Sequence, residues 1–580
     1  MALKRQARIR ASNARMVSTP IPQQATNQVA HMAAPTGGLN ALSPASAMPP
    51  TDCLALNNLI PFQFGLRIRS GWREWATEIG SPVAVGRTPL TGYQGFNPHG
   101  VRTLMAFTGR YPSGDRLFAC TPDGIYNCSV AGVKSVANRE YTFPIGSTTD
   151  YLGNEVFPHG AGVGTYTSFS SPSGEHYIAY CDEANGYLLY QEGGAWTKIV
   201  QGSGTDGRSI SGSNPDAFRH VMSWKNRLWF CAENSSTAYY LPVNQFAGTV
   251  SQIDFGSRFR YGGKLVGLYS WTVDGGTGID DYLVGISNGG DVVIYRGTDP
   301  TFVETFGLHG VWWAGQIPPG RNIASDFGGD LFILSRLGCL PLSKLVSGGL
   351  IRDPNTFATE KIANLFNILM TDRGHLPGWS IKMHPTDNLM MINVPALPDR
   401  PQLVMAMALA SKGWSQQLGI PMTCMEPWNG DLYFGTADGR VCANTGFVDA
   451  QKLDGTGALP INASMMSAYS MMGSARKKRI HMVRPYFYTD GNQPGYSASA
   501  RYDFDLSDIN TTASTLTTPA NAWDTGLWDT MLWGDDNATA NKVGGTAGMG
   551  TAAAIIVRVT AESNVTLLGY DVVADQGGIL

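Results

Sequence analysis

The stretch GDRLFACTPDGIYNC, Gly114 to Cys128, sets the pattern of the chain: a polar or glycine lead, an apolar run of four or five residues, a turn, and a second run. The phrase returns as KNRLWFCAENSSTAYYL from Lys225 to Leu241, GGDLFILSRLGCLPL from Gly328 to Leu342 and NGDLYFGTADGRVCAN from Asn429 to Asn444. Looser copies are EHYIAYCDEANGYLLY at Glu175 to Tyr190, DYLVGISNGGDVVIY at Asp281 to Tyr295, and the stretch from Asn388 to Ala410. β-Branched and aromatic residues fill the runs, so each unit reads as a hairpin, with Asp123-Gly124, Asn288-Gly289 and Asp438-Gly439 expected to supply the positive φ of a tight turn. The units begin at residues 115, 175, 226, 281, 329, 388 and 430, at spacings of 60, 51, 55, 48, 59 and 42. A four-stranded propeller blade takes roughly 40 to 50 residues and buries its faces against its neighbours. The expected fold is therefore all-β, with a propeller-like domain over residues 111–460. Ordinary hairpins distributed over two β domains are the alternative.

At 580 residues the chain exceeds a single core, and two or three domains are expected. It has 69 glycines, 10% aromatic and only 15% charged residues, a turn-rich β profile with little helical surface. The net charge of −3 says nothing of nucleic acid or membrane, but its distribution is uneven. Lys4, Arg5, Arg8, Arg10 and Arg15 precede the first acid, Asp52, whereas residues 502–580 hold ten acids against Lys542 and Arg558. Residues 1–34 read as a flexible basic arm, a docking tail or a contact for DNA phosphates. The eight cysteines lie mostly in apolar runs without a CxxC pair, which predicts buried thiols of a protein assembled in a reducing compartment. No apolar segment follows the basic N-terminus, so no secretory signal is expected, and the longest apolar run, Leu403 to Ala410, is too short to span a membrane.

Motifs for chemistry are sparse. Gly285 to Gly289 matches GxSxG, but a nucleophile elbow needs a helix after the turn, and DVVIY is another strand. The sequence has no HExxH, phosphate-binding glycine loop or dinucleotide fingerprint, and its nine histidines lack ligand spacing. Gly193 to Trp196 is the nearest approach to a sialidase Asp-box and lacks its Ser and Asp. Paired carboxylates for glycoside hydrolysis need only proximity in the fold and stay open. No catalytic, cofactor or metal residue is singled out, and an enzyme is not expected. Beyond Ala463 the hairpin rhythm stops. Met465, Met466, Met471 and Met472 run into Arg476, Lys477, Lys478 and Arg479, which reads either as a subunit contact or as a core element followed by a solvated charge run. Trp523, Trp528 and Trp533 recur every five residues, each at the same place in a repeated turn. Ala552 to Val573 reads as a strand pair.

The order Ala34-Pro35-x-Gly37-Gly38-Leu39-Asn40, Met48-Pro49-Pro50-Thr51-Asp52, Leu56-x-Asn58, Pro61, Leu66-Arg67 and Gly71-Trp72 closely resembles the opening of the tail nozzle proteins of short-tailed phages, also called tail tubular protein B. Gln316-Ile317-Pro318-Pro319-Gly320-Arg321, then Phe327 to Leu331 and Leu340 to Ser343, is similar to the central segment of that family, and the tryptophan repeat to its C-terminal part. The resemblance implies a propeller joined to a β-rich platform, with residues 35–110 as the N-terminal segment of the platform and entry to the propeller, and 461–580 as the C-terminal platform domain. It implies a homo-hexameric virion ring, assembled in the host cytoplasm, that extends the DNA ejection channel below the adaptor ring and anchors a fibre, spike, needle or plug. Double-stranded DNA would pass without sequence-specific binding. A conduit rich in lysine and arginine would grip that polyanion, so Asp503, Asp505 and Asp508 are candidate channel-lining residues. The other reading of these acids is that they end strands in solvent. A phage adhesin that binds or cleaves host glycans is the alternative function.

Overall fold

The computed structural model describes residues 28–80, 100–506 and 544–576, apart from 145, 147, 150–154, 159, 172, 275–278, 303, 349–352, 398–401, 491–493 and 546–547. All seven hairpins form; five lie in small antiparallel sheets of their own, the sixth is part of a larger mixed sheet, and the seventh lies in a sheet that also holds a parallel pair. The first sheet comprises Thr103–Phe107, Arg116–Thr121, Gly124–Asn127 and Arg139–Thr142, and the second Gly164–Ser170, His176–Asp182, Gly186–Gln191 and Thr197–Lys198. The third holds Phe218–Trp224, Arg227–Ala232, Thr237–Tyr240 and Ser251–Asp254, and the fourth Leu265–Asp274, Ile279–Ser287, Asp291–Gly297 and Phe306–Trp313. Ala324–Phe327, Asp330–Ser335 and Gly338–Pro341 make a three-stranded fifth sheet, beside which the helix Ala363–Arg373 buries Phe366, Leu369 and Met370. The sixth sheet is Ser380–His384, Leu389–Val394, Leu403–Ala408 and Trp414–Leu418. The seventh takes three strands, Cys424–Trp428, Asp431–Gly435 and Val441–Asn444, from its own repeat and a fourth, Arg73–Thr77, from far upstream, to which the short Gly132–Val133 adds in parallel.

The packing explains why the second strands read as unbroken apolar runs rather than alternating ones. In Arg116–Thr121, Leu117 and Ala119 face a cluster shared with the seventh sheet through Cys424, Trp428 and Tyr433. Phe118 and Cys120 face the opposite cluster, shared with Ile178, Tyr180 and Leu188 of the second sheet. Both faces are covered, so every position must be apolar. Apolar clusters likewise join the second sheet to the third, the third to the fourth, the fourth to the fifth, the fifth to the sixth and the sixth to the seventh. The first strands touch in the same succession, and Cys424–Trp428 lies against Thr103–Phe107. The arrangement is propeller-like and all-β.

The turns depart from expectation in an instructive way. Consecutive positive φ angles occur at Lys225-Asn226 (49° and 54°), Gly328-Gly329 (59° and 81°) and Asn429-Gly430 (49° and 89°), the geometry of a two-residue hairpin loop. At the predicted turn Asp123-Gly124 neither φ is positive. The loop there is Pro122-Asp123, closed by the pair Thr121 and Gly124, and the proline ring forbids a positive φ at its first position. The Asp123 carboxylate holds that turn instead, accepting from Thr121 Oγ1, from the Tyr126 hydroxyl at 2.6 Å and from Arg139 Nη1 at 2.9 Å. At Asn288-Gly289 the positive φ falls one residue later, on Gly290 at 93°. At Asp438-Gly439 it falls on Gly439, at 81°.

Segments from both ends build a second body. Asp52–Asn57 joins the sixth sheet in parallel through Asn57 and Gln416 and continues antiparallel into Leu459–Ser467, Ala553–Ala561 and Gly495–Tyr502. A facing sheet comprises Leu59–Phe62, Gly65–Ile68, Val565–Gln576, Lys478–Thr489 and Gly544–Gly545, with Gln28–Ala33 also paired to Val565–Gln576. One core lies between the two, with Leu56, Met465 and Val557 from one side and Ile480, Phe487 and Val572 from the other. Two expectations on boundaries are corrected here. Residues 28–33 of the arm are a paired strand, and the propeller-like part begins at Thr103 and also uses Arg73–Thr77, so 111 is too late a start.

Candidate functional site

The first strand of each sheet sits innermost, and four of these strands bring polar side chains together with the turn at Gly320-Arg321-Asn322. They enclose a chamber of about 60 Å³ lined among others by Arg102, Tyr166, Arg321, Ser380, Lys382 and Glu426. Lys382 Nζ lies 3.0 Å from a Glu426 carboxylate oxygen. Arg321, from the motif Gln316 to Arg321, is buried and donates from Nε to Glu183 at 2.5 Å and from Nη1 to the Val266 carbonyl at 2.5 Å. It thereby ties the fifth sheet to the second and fourth. Burial alone would weaken the charge of Arg321, but the Glu183 carboxylate more than offsets it and leaves the guanidinium above its ordinary value. Arg102 donates from Nη1 to the Ala161 carbonyl at 2.8 Å, and burial pulls it down to about 10 despite the opposing influence of Tyr180 and Asp182. Burial raises Tyr166, and the neighbouring Glu426 carboxylate raises it further, so its hydroxyl keeps its proton.

A second polar cluster fixes the platform to the ring. Arg69, 1% exposed, donates to both Asp449 oxygens at 2.8 and 2.6 Å, to Asn58 Oδ1 at 2.9 Å and to the Leu418 carbonyl at 2.7 Å. Arg67 and Ser70 both bond the Asp387 carboxylate beside the buried His384. Near this joint lies an open cleft of about 500 Å³ lined by Asn58, Trp72, Asp449, Leu459 and Asn462, among others. Motif residues of the N-terminal segment recur throughout it. Asn40 donates to Asp52 at 2.8 Å, and Lys361 reaches the same carboxylate at 3.0 Å.

The residues singled out in the sequence divide. Met465 and Met466 are 0% and 2% exposed in platform cores, so they are not surface contacts of the folded chain. Their positions in Leu459–Ser467 face apolar clusters on both sides. Lys478 is also buried; its ammonium donates to the Arg476 and Thr551 carbonyls at 3.1 and 2.8 Å, and burial lowers its pKa. Met471, Arg476 and Arg479 are exposed, while Met472 and Lys477 are half-buried. Asp503 and Asp505 are exposed. Asp503 Oδ1 accepts the Thr551 and Ala552 N–H groups at 2.7 and 3.2 Å, and Arg501 lies 3.4 Å from Asp505. Asp508 and the tryptophans at 523, 528 and 533 fall outside the described residues. All eight cysteines are buried and unpaired. Gly285 to Gly289 runs from strand through turn to strand, with Ser287 Oγ accepting the Asp291 N–H at 3.0 Å. Among the described residues no group of three or more His, Cys, Asp or Glu side chains is placed to hold a metal. Among them also, no helix is long and apolar enough to cross a membrane.

The chamber residues were not anticipated. Arg102, Tyr166, Lys382 and Glu426 lie in or next to the strand before a hairpin, where no local pattern marks them, and only the packing of the sheets brings them together.

No family model and no curated protein matches the chain. Among solved structures, the computationally designed Ika8 protein aligns at a TM-score of 0.31 and 8% identity, covering 64% of this chain and 99% of that one. The extracellular domain of the hybrid two-component system BT4673 of B. thetaiotaomicron aligns at 0.33 and 10%, covering 74% of this chain and 45% of that chain.

Proposed function

We propose that the chain is a structural subunit of a phage tail nozzle, six copies of which form a ring that extends the DNA ejection channel and carries attachment sites for fibre or needle. The observation that supports this reading is where the motif residues of the resemblance fall. Asn40, Asp52, Asn58, Arg67 and Trp72 all lie at or beside the joint where a platform made from both chain ends meets the propeller-like ring. Such a joint suits a component that transmits force between assembly partners rather than one that turns over a substrate. The axial chamber, at about 60 Å³, is far too small for DNA, so the conduit in this reading runs between chains. An open face of the platform offers the surface for a neighbouring copy. Val29, Val573 and Met482 lie side by side in register there, with His31, Asp571 and Arg484 in the next row, and Val29 and Met482 are 64% and 40% exposed. Exposed apolar groups rimmed by charge mark protein contacts, and rings of identical chains use complementary faces. Native mass spectrometry and electron microscopy of the purified chain, with and without its adaptor, test the reading. A six-membered ring supports it, whereas a monomer or trimer that binds host glycans favours the adhesin.

A further inference from the structure

The axial chamber holds more hydrogen-bond donors than acceptors. A guanidinium presents five N–H groups, yet Arg321 makes three bonds, to Glu183 at 2.5 and 3.5 Å and to Val266 at 2.5 Å. An ammonium presents three, and Lys382 directs its contacts, at 3.0 and 3.2 Å, to the single carboxylate of Glu426. Ser380, 9% exposed, lines the chamber, and its hydroxyl has no partner among the described residues. The carboxylates nearby are already engaged. Glu426 receives Lys382 and raises the pKa of the neighbouring Tyr166 hydroxyl, and Glu183 receives Arg321. The buried Asp182 accepts from the backbone of Gly162, Ala184 and Asn185 and from the Asn185 amide. Of the charged side chains lining the chamber, Arg102, Arg321 and Lys382 are cationic and only Glu426 is anionic.

A buried donor without an acceptor costs about 1–3 kcal/mol, and a charged one more. The chamber is therefore complementary to a small group that is negative and rich in acceptors. On a scale of about 10–15 Å³ per water, its volume of about 60 Å³ holds about four to six water-sized atoms. We propose that the axial chamber binds one small tetrahedral oxyanion, inorganic phosphate or sulfate, through Arg102, Arg321, Lys382 and Ser380. The bound ion bridges residues of the first, fifth and sixth sheets across the axis, so it stabilises the ring against opening.

Thermal unfolding of the full chain at pH 7 tests this, with phosphate or sulfate compared with chloride at matched ionic strength. The expected result is a Tm that climbs with the logarithm of phosphate concentration above its Kd, and likewise with sulfate. Ser380→Ala removes a buried hydroxyl without a partner among the described residues, so it should leave Tm in chloride no lower and move the response to several-fold higher phosphate, and Lys382→Met should abolish the response. Adenosine monophosphate, whose phosphate is attached to a group the chamber cannot admit, should act no more strongly than chloride. Equal responses to phosphate and chloride would overturn the proposal, as would a nucleotide response equal to that of phosphate. Since Lys382→Met leaves Glu426 unpaired and can fail to fold, Ser380→Ala decides: an undiminished phosphate response in that variant also overturns it.

Discussion

His220, in the first strand of the third sheet, donates from Nε2 to the Leu268 carbonyl at 2.8 Å, and its Nδ1 has no hydrogen-bond partner among the described residues. Burial is the main cause of its low pKa of about 3, partly countered by that hydrogen bond, with Arg321 adding a smaller downward push. The folded protein thus refuses a proton that the unfolded chain accepts near pH 6.5. As pH falls from about 6.5 towards 3, stability should drop by up to ~1.4 kcal/mol per pH unit from this group, and above 6.5 the group should have no effect. His384, whose pKa burial also lowers, adds in the same direction. Urea unfolding at pH 7 and 4.5 measures the drop, and His220→Gln, which keeps a donor for Leu268, should reduce it; an unchanged drop would refute the assignment. The thiols give a second residue-scale test. Burial pushes Cys128, Cys231, Cys424 and Cys442 up to about 12, and thiols held so far from the thiolate react slowly. A chromogenic disulfide reagent should titrate almost no thiol in the native protein within minutes and all eight after denaturation. Rapid native labelling, or a disulfide found in the intact chain, would contradict the buried, unpaired arrangement.

At the scale of elements, the seventh sheet depends on Arg73–Thr77, more than 350 residues from its partner Val441–Asn444 in the chain. Ala76 in that strand is fully buried in the cluster shared by the seventh and first sheets. Ala76→Asp places an unpaired charge there and should cost about 3–5 kcal/mol. Hydrogen exchange should then show protection lost first in Asp431–Gly435 and Val441–Asn444; uniform loss over all seven sheets would mean that the strand does not hold the seventh sheet locally. The joint to the platform makes a related case. Arg69→Met removes the partner of Asp449 and should destabilise by about 3–5 kcal/mol, whereas Arg69→Met with Asp449→Leu should recover part of that loss. Strictly additive effects would show that the pair is not coupled. Hairpins were legible in the sequence because a doubly buried strand must be apolar through its run, as LWFCA from Leu228 to Ala232 is. The turn chemistry was less so: Pro122 excluded at one hairpin the positive φ that an Asp-Gly pair ordinarily signals.

For the whole molecule, the proposed ring makes the open platform face a contact. Met482→Glu, at an exposed position, should leave the unfolding midpoint within about 0.5 kcal/mol of wild type. Native mass spectrometry should show it shifting the assembly towards single chains; a variant that assembles as well as wild type would remove this face from the interface. The sequence by itself determined the all-β class, the seven hairpins and their order, since turn residues and apolar runs act over a few neighbours. It left Met465 and Met466 open between contact and core, because burial depends on which strands pair, and pairing with Asp52–Asn57 and Ala553–Ala561 is set hundreds and tens of residues away. The axial chamber was likewise decided only by tertiary structure. Arg102, Tyr166, Arg321, Lys382 and Glu426 lie in five separate segments, and no local pattern couples them. They meet because the first strands of successive sheets pack against one another, where burial forces charges that are distant in sequence to satisfy one another.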